Sequence, residues 1–138
     1  MKRIKTYLFL LLIPFSVFAA EPKDLKVMTY NLRFGEWASM EEIGRYIASE
    51  APDIVAVQEC DWNTHRENVP QQNGVHFTNV LANQTGMFGL YGKCIDYKGG
   101  YYGIGLLSRY PIVRSERVLL PNDGKTEQRS MLIADIDL

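Results

Sequence analysis

The sequence predicts an α/β fold in which helices cover a mixed sheet, and three observations carry that prediction. An unbroken apolar run, Ile54-Val55-Ala56-Val57, follows Pro52-Asp53 and ends abruptly in Gln58-Glu59, the pattern of a central strand buried on both faces. A strand-like run up to Asn31 precedes it, and between the two lie Met40, Ile43 and Ile47 at helical spacing, which makes a βαβ unit. After about residue 87 the chain carries only strand-like runs separated by turn chemistry, so the sheet is mixed rather than purely parallel.

The amino terminus stands apart from that fold. Lys2, Arg3 and Lys5 precede an apolar run from Leu8 to Phe18 that only Pro14 and Ser16 interrupt. Val17 and Ala19 then occupy the minus-three and minus-one positions of a cleavage site. Residues 1–19 read as a secretory signal peptide, which predicts an exported protein, periplasmic or secreted. The apolar run is shorter than the ~20 residues of a membrane span, so no transmembrane segment is expected once it is removed. No cysteine follows it to carry a lipid anchor. Without those residues, 12 Lys and Arg stand against 16 Asp and Glu, a net charge of −4. No basic run remains, which counts against binding long nucleic acid through clustered cations. A small phosphate ester stays open. Cys60 and Cys94 are the only thiols. They are either buried free thiols or, in an exported chain, a disulfide.

In chain order, Glu21 to Leu25 is a polar lead-in and Lys26 to Asn31 the first strand. A loop from Arg33 to Ala38 leads to Ser39-Met40-Glu41-Glu42, a capping box that starts a helix running from Met40 to Glu50. Pro52 stops it before the central strand. From Asp61 to Gly74 the chain is polar, as functional loops at strand ends are. A second helix is expected from Val75 to Thr85, with Phe77, Val80 and Leu81 on one face and Gly86 as its cap. Strands then follow at Met87 to Lys93, Gly103 to Leu107, Ile112 to Leu120 and Gln128 to Leu138. Gly99-Gly100, Tyr110-Pro111 and Pro121-Asn122-Asp123-Gly124 supply the turns between them.

Chemistry gathers where the first two strands end. Glu59 emerges at the C-terminal edge of the central strand, where α/β sheets place ligand sites, and a carboxylate held there suits a hard cation. Asn31 ends the neighbouring strand. Arg66, on the loop beyond Glu59, is either a phosphate clamp, because guanidinium pairs two oxygens, or a solvated loop charge.

Three blocks together resemble the endonuclease/exonuclease/phosphatase superfamily, the fold of DNase I, abasic-site endonucleases, neutral sphingomyelinases and inositol polyphosphate 5-phosphatases. They are Met28 to Arg33 (MTYNLR), Ile54 to Asp61 (IVAVQECD) and Gly99 to Ile112 (GGYYGIGLLSRYPI). A Gly92-Lys93-Cys94-Ile95-Asp96-Tyr97 stretch before the last block is similar to the small exported bacterial branch. The resemblance spans residues 25–138 and implies half of a DNase I-like four-layer α/β sandwich. It also implies Mg²⁺-assisted hydrolysis of a phosphate ester, with Mn²⁺ as a substitute. By the same resemblance Glu59 is a direct metal ligand and Asn31 lies in the metal and phosphate pocket, the two serving as catalytic residues. Arg129 matches an arginine that points at the active site, with a sheet-surface role as the alternative. Tyr101 and Tyr102 line the pocket or stack on the sheet. Arg109 belongs to a structural turn, and His65 and His76 fall outside the family's catalytic contexts.

The chain lacks the Asn-x-His-Leu, Gly-Asp-Phe-Asn and Ser-Asp-His blocks that supply the family's other metal ligands and its general base, so it corresponds to the amino-terminal part of the domain. Two functions remain. One is an exported phosphoesterase acting on a small molecule or lipid headgroup in preference to nucleic acid. The other is a non-catalytic module that binds a phosphate ligand.

Overall fold

The computed structural model describes residues 24–138, so the expected signal peptide lies outside the described residues. Strand β1 (Val27–Asn31) pairs in parallel with β2 (Ile54–Trp62), and helix α1 (Met40–Glu50) connects them. Helix α2 (Phe77–Thr85) leads into a hairpin of β3 (Phe88–Tyr97) and β4 (Gly100–Ser108). The four strands form one mixed sheet in the order β1-β2-β4-β3, with β4 antiparallel to both neighbours. Strands β5 (Ile112–Leu119) and β6 (Ser130–Ile136) form a separate antiparallel pair. Among the described residues, no helix is long and apolar enough to cross a membrane.

Local chemistry fixes most boundaries. Ser39 Oγ accepts the Glu42 amide at 3.2 Å, and Glu42 Oε2 accepts the Ser39 amide at 2.9 Å, closing the expected capping box. Ala51 then takes a left-handed φ of 49° ahead of Pro52. The β3–β4 loop is Lys98-Gly99, both with positive φ, as the tight primed turn of a hairpin requires. Strands β3 and β4 therefore run closer to the turn than the sequence pattern suggests. Two further expectations need correction. Asp61 and Trp62 extend β2 rather than opening the loop, because they pair with Tyr102 and Tyr101. Helix α2 starts at Phe77 rather than Val75, because His76 forms a bridge to Trp62.

Both helices cover the same face of the four-stranded sheet. Met40, Ile43 and Ile47 of α1 and Phe77 and Leu81 of α2 join Val55, Val57, Cys60 and Leu107 in one buried core. Each such fully buried side chain contributes roughly 1.5–3 kcal/mol. Gly105 of β4 allows the close approach of α2: a Cβ there would lie 2.6 Å from Thr78 Cγ2. The expectation that β2 is buried on both faces is corrected here. Val55 and Val57 are buried against the helices, whereas Ile54 and Ala56 on the other face are only half-buried. That second face meets the β5–β6 pair, whose Leu132 packs where Gly92 lacks a side chain. Two strands are too few to cover it.

The start of β2 is tied down by Asp53, which accepts the Lys26 amide at 3.0 Å and the Tyr110 hydroxyl at 3.1 Å. Arg109 lies 3.7 Å from the same carboxylate and donates to Pro52 O. The Ser108–Pro111 turn thus works as a clasp at the edge of the sheet opposite the candidate site. Cys60 and Cys94 are both free thiols, buried within β2 and β3 rather than at strand ends. Cys60 lies in the helix-side core, while Cys94 Sγ meets Ser130 Oγ of β6 at 3.1 Å on the other face, so the sheet separates them.

Candidate active site

Because β1 and β2 run parallel, they deliver Asn31 and Gln58-Glu59 to the same edge, with Asn31 in register with Gln58. A β-bulge then decides where Glu59 points. Val57 pairs with Gly105 but Cys60 pairs with Gly103, so β2 carries one residue more than its partner. Simple alternation would place Glu59 beside Val57, under the helices. The bulge, with Glu59 at φ 54°, returns Cys60 to the core and leaves Glu59 outside it. Left-handed backbone at a non-glycine residue costs of order 1–3 kcal/mol, and such positions gather at functional sites.

Asn31 holds the carboxylate. Its Nδ2 donates to Glu59 Oε1 at 2.8 Å, and its Oδ1 accepts the Arg33 amide at 2.8 Å. Both ends of the amide are thereby used, which fixes its orientation. Gln58 instead donates to Thr29 Oγ1 at 3.0 Å, packing along the sheet. Among the described residues, Glu59 Oε2 takes no hydrogen bond, and no three His, Cys, Asp or Glu side chains gather to hold a metal ion. The donor set suits a hard cation that keeps most of its water: one carboxylate oxygen without a hydrogen bond, on a side chain that Asn31 holds in place.

Arg66 is not a solvated loop charge. It is nearly buried, and its Nε and Nη2 donate to Asp61 Oδ2 and Oδ1 at 2.6 and 3.0 Å. Thr64 Oγ1 donates to the same Asp61 Oδ2 at 2.5 Å. The guanidinium lies over the rings of Phe34, Tyr97 and Tyr102, with centroids 4.2, 4.5 and 5.3 Å away. Burial works against its charge, but the Asp61 hydrogen bonds and negative charge outweigh that and hold it above the usual arginine range. Phe34 reaches the guanidinium from a tight turn in which Arg33, Phe34 and Gly35 all have positive φ.

Arg66, Phe34, Tyr97 and Tyr102 line a cleft of about 150 Å³ together with Glu127 and Arg129. Arg129 lies at its rim, largely exposed, with Nη1 3.0 Å from Glu127 Oε1. Burial, followed by the nearby Glu59 and Glu127 carboxylates, pushes the Tyr102 phenol up to about 12, and Arg129 offsets part of that. Asn31, Glu59, Tyr102, Arg66 and Arg129 are thus gathered along one edge of the sheet. Tyr101 is not among them: it pairs with Trp62 and faces the other way. His65 donates its amide to Lys98 O, and His76 stacks on Trp62. Sequence reasoning missed Asp61, Phe34, Tyr97 and Glu127. An acidic residue two places after Glu59 with an arginine five residues later was the available signal for Asp61.

A model of the Endonuclease/Exonuclease/phosphatase family matches residues 28–136, a span that runs from within β1 to the end of β6. The chain belongs to that family. The endonuclease/exonuclease/phosphatase family is one of phosphoesterase- and nuclease-type hydrolases, and the fold is accordingly DNase I-like. Two solved structures agree with this fold. An endonuclease/exonuclease/phosphatase from Beutenbergia cavernae DSM 12333 superposes with a TM-score of 0.59 at 23% identity, covering 83% of this chain and 34% of that one. A family protein from Leptotrichia buccalis C-1013-b gives a TM-score of 0.62 at 16% identity, covering 83% of this chain and 49% of that one. The chain therefore spans between a third and a half of the length of these relatives, and its three layers are part of their architecture.

Proposed function

We propose that this chain carries the Asn31–Glu59 side of a Mg²⁺-dependent phosphoesterase site that hydrolyses a phosphate ester with activated water. The observation that supports the reading most is the bulge at Glu59, which spends backbone strain to present a carboxylate that Asn31 then orients. Glu59 Oε2 and the Asn31 side chain that orients it are the groups that would hold the ion. Mg²⁺ bound there supplies a Lewis acid for a phosphoryl oxygen and lowers the pKa of bound water, with Mn²⁺ able to replace it.

The chain's own residues do the rest. Asn31 removes rotamer freedom from Glu59 and so holds its charge at the sheet edge. Tyr102, kept protonated to about pH 12, is a neutral donor to a phosphate oxygen at any ordinary pH. Arg129 brings an exposed guanidinium paired with Glu127, and Arg66 a buried one whose charge Asp61 balances. A small-molecule ester or lipid headgroup fits better than nucleic acid, because the acidic chain carries no basic run. Export through the segment at residues 1–19 places that activity in the periplasm or outside the cell.

One observation favours a second reading, a phosphate-binding module without turnover: among the described residues no group of three His, Cys, Asp or Glu side chains gathers at Glu59. A hydrolysis panel of phosphomonoesters and phosphodiesters on the full-length protein, with Mg²⁺ and with EDTA, separates the two. Turnover that EDTA and Glu59→Gln both abolish supports the enzyme. Phosphate-ester binding that is unchanged by EDTA, with no turnover, supports the module.

A further inference from the structure

The Asn31–Glu59 contact depends on one peptide plane. Leu32 O accepts the Gly35 amide at 3.0 Å, and the N–H of the same peptide unit, that of Arg33, donates to Asn31 Oδ1 at 2.8 Å. A trans peptide points its carbonyl and its N–H in opposite directions. Holding Leu32 O against Gly35 therefore aims the Arg33 amide at Asn31, whose Nδ2 meets Glu59 Oε1. Arg33, Phe34 and Gly35 close that turn with φ of 45°, 43° and 74°. Two of the three are not glycine, so this backbone is costly and persists only where its surroundings enforce it.

The polar loop beyond β2 supplies the enforcement. It closes on itself through the Gly74 amide, which donates to Thr64 O at 3.0 Å, and the Asn63 amide, which donates to Val75 O at 3.0 Å. Two of its side chains press on the turn. Arg66 is fixed by Asp61 and by its own amide, which donates to Asn73 Oδ1 at 2.7 Å. Its guanidinium lies over the Phe34 ring at 4.2 Å. Gln72 is buried directly against Gly35, where a Cβ on the glycine would lie 2.8 Å from Gln72 Cγ. Neither Phe34 nor Gln72 belongs to the helix-side core.

We infer that Phe34 and Gln72 are positioning residues for the Glu59 carboxylate. Phe34 under Arg66 and Gln72 against Gly35 hold the turn closed, the Leu32–Arg33 peptide locks Asn31, and Asn31 locks Glu59. The loop that leaves β2 thus braces the turn that leaves β1. The consequence for cation affinity rests on the Glu59 reading proposed above, whereas the consequence for Asn31 does not.

The test uses the full chain. Heteronuclear NMR of the isotope-labelled protein without metal follows the Asn31 side-chain amide, assigned by its loss in Asn31→Ala. Its two protons should be widely separated in the wild type, and should move toward free-amide positions in Phe34→Ala and in Gln72→Ala. Phe34→Tyr keeps the ring and should keep the wild-type resonances. Phe88→Ala, which removes an exposed ring at the opposite end of the sheet, is the control and should also keep them. Titration calorimetry on the same set should show Mg²⁺ binding weakened about 10–100-fold in both alanine variants of the turn contact, the usual loss when a partner that orients a metal ligand is removed. Phe34→Tyr and Phe88→Ala should bind as the wild type does. Both alanine variants should melt cooperatively by circular dichroism, and if one does not fold the other decides. If the wild type binds no Mg²⁺, the Glu59 reading falls and the resonances alone decide. Asn31 resonances unchanged in both alanine variants overturn the inference. So does wild-type Mg²⁺ affinity in both, or a loss that Phe88→Ala shares.

Discussion

Asn31 Nδ2 donates to Glu59 Oε1 at 2.8 Å across 28 residues of sequence, and the contact exists because two parallel strands end together. Parallel pairing alone would not produce it. The bulge in β2 turns Glu59 away from the helix-side core, and the Arg33 amide locks the other end of the Asn31 side chain. A single added residue in one strand thus converts a core position into a presented carboxylate.

If Asn31 orients Glu59, then changing its charge should tune cation affinity. Asn31→Asp adds a second carboxylate and should tighten Mg²⁺ binding to the chain about tenfold, whereas Asn31→Ala should weaken it and Glu59→Gln abolish it. Titration calorimetry or Mn²⁺ relaxation measures this without turnover. Equal affinities for the wild type and Glu59→Gln would remove Glu59 from the metal site.

Asp61 and Arg66 make a different claim, about stability. Truncating one member of a buried pair leaves the other charge without compensation, so Asp61→Ala should cost about 3–5 kcal/mol. The double variant Asp61→Leu, Arg66→Met should recover much of that loss, because two apolar side chains leave no orphaned charge. Urea melts followed by circular dichroism decide it. A double variant as unstable as Asp61→Ala would mean that the ion pair itself, rather than the unpaired charge, carries the effect.

The fold and half of the site were legible in the sequence for separate reasons. Apolar periodicity is a local signal, so α1 and β2 stood out, and the Ser39–Glu42 cap could be read residue by residue. Glu59 was legible because a carboxylate ended an apolar run. The one-sided burial of β2 was not, because Ile54 and Ala56 are as apolar as Val55 and Val57 and only the packing of β6 distinguishes the faces. Asp61 was hidden for a similar reason: its burial depends on Arg66 folding back onto it, a tertiary pairing that a polar loop does not announce.

The two faces of β2 should respond differently to charge. Val57 is 1% exposed beneath the helices, so Val57→Asp should unfold the chain outright. Ala56→Asp, one residue away on the half-buried face, should leave a cooperative melt at reduced stability, because its carboxylate can reach water. Loss of folding in both variants would show that the second face is sealed.

The capping box has a pH signature. Hydrogen bonds from the Ser39 backbone and hydroxyl hold the Glu42 carboxyl below its ordinary value of 4.5. A lowered folded value means the contribution is fully present above the unfolded value and is lost as pH falls through the folded one. Ser39→Ala should therefore lower the melting temperature by roughly 3–6 °C at neutral pH, and the gap from wild type should narrow as pH falls below 4.5. A gap that stays constant to pH 2 would separate the cap from Glu42 ionisation.

The β5–β6 pair presents apolar side chains on the face turned away from the larger sheet. Met131 and Ile133 on that face are 44% and 43% exposed. Patches of this kind bind hydrophobic dyes and drive association, and a two-stranded pair also offers an unpaired edge. The chain on its own should therefore enhance the fluorescence of an apolar dye under conditions where its circular dichroism is native, and should sediment as a concentration-dependent mixture. Met131→Thr with Ile133→Thr keeps strand propensity while removing apolar surface, so it should cut dye binding severalfold and shift sedimentation toward monomer without lowering the melting temperature by more than a few degrees. Dye binding that survives this double change would place the exposed surface elsewhere, the open face of β2 being the next position to test.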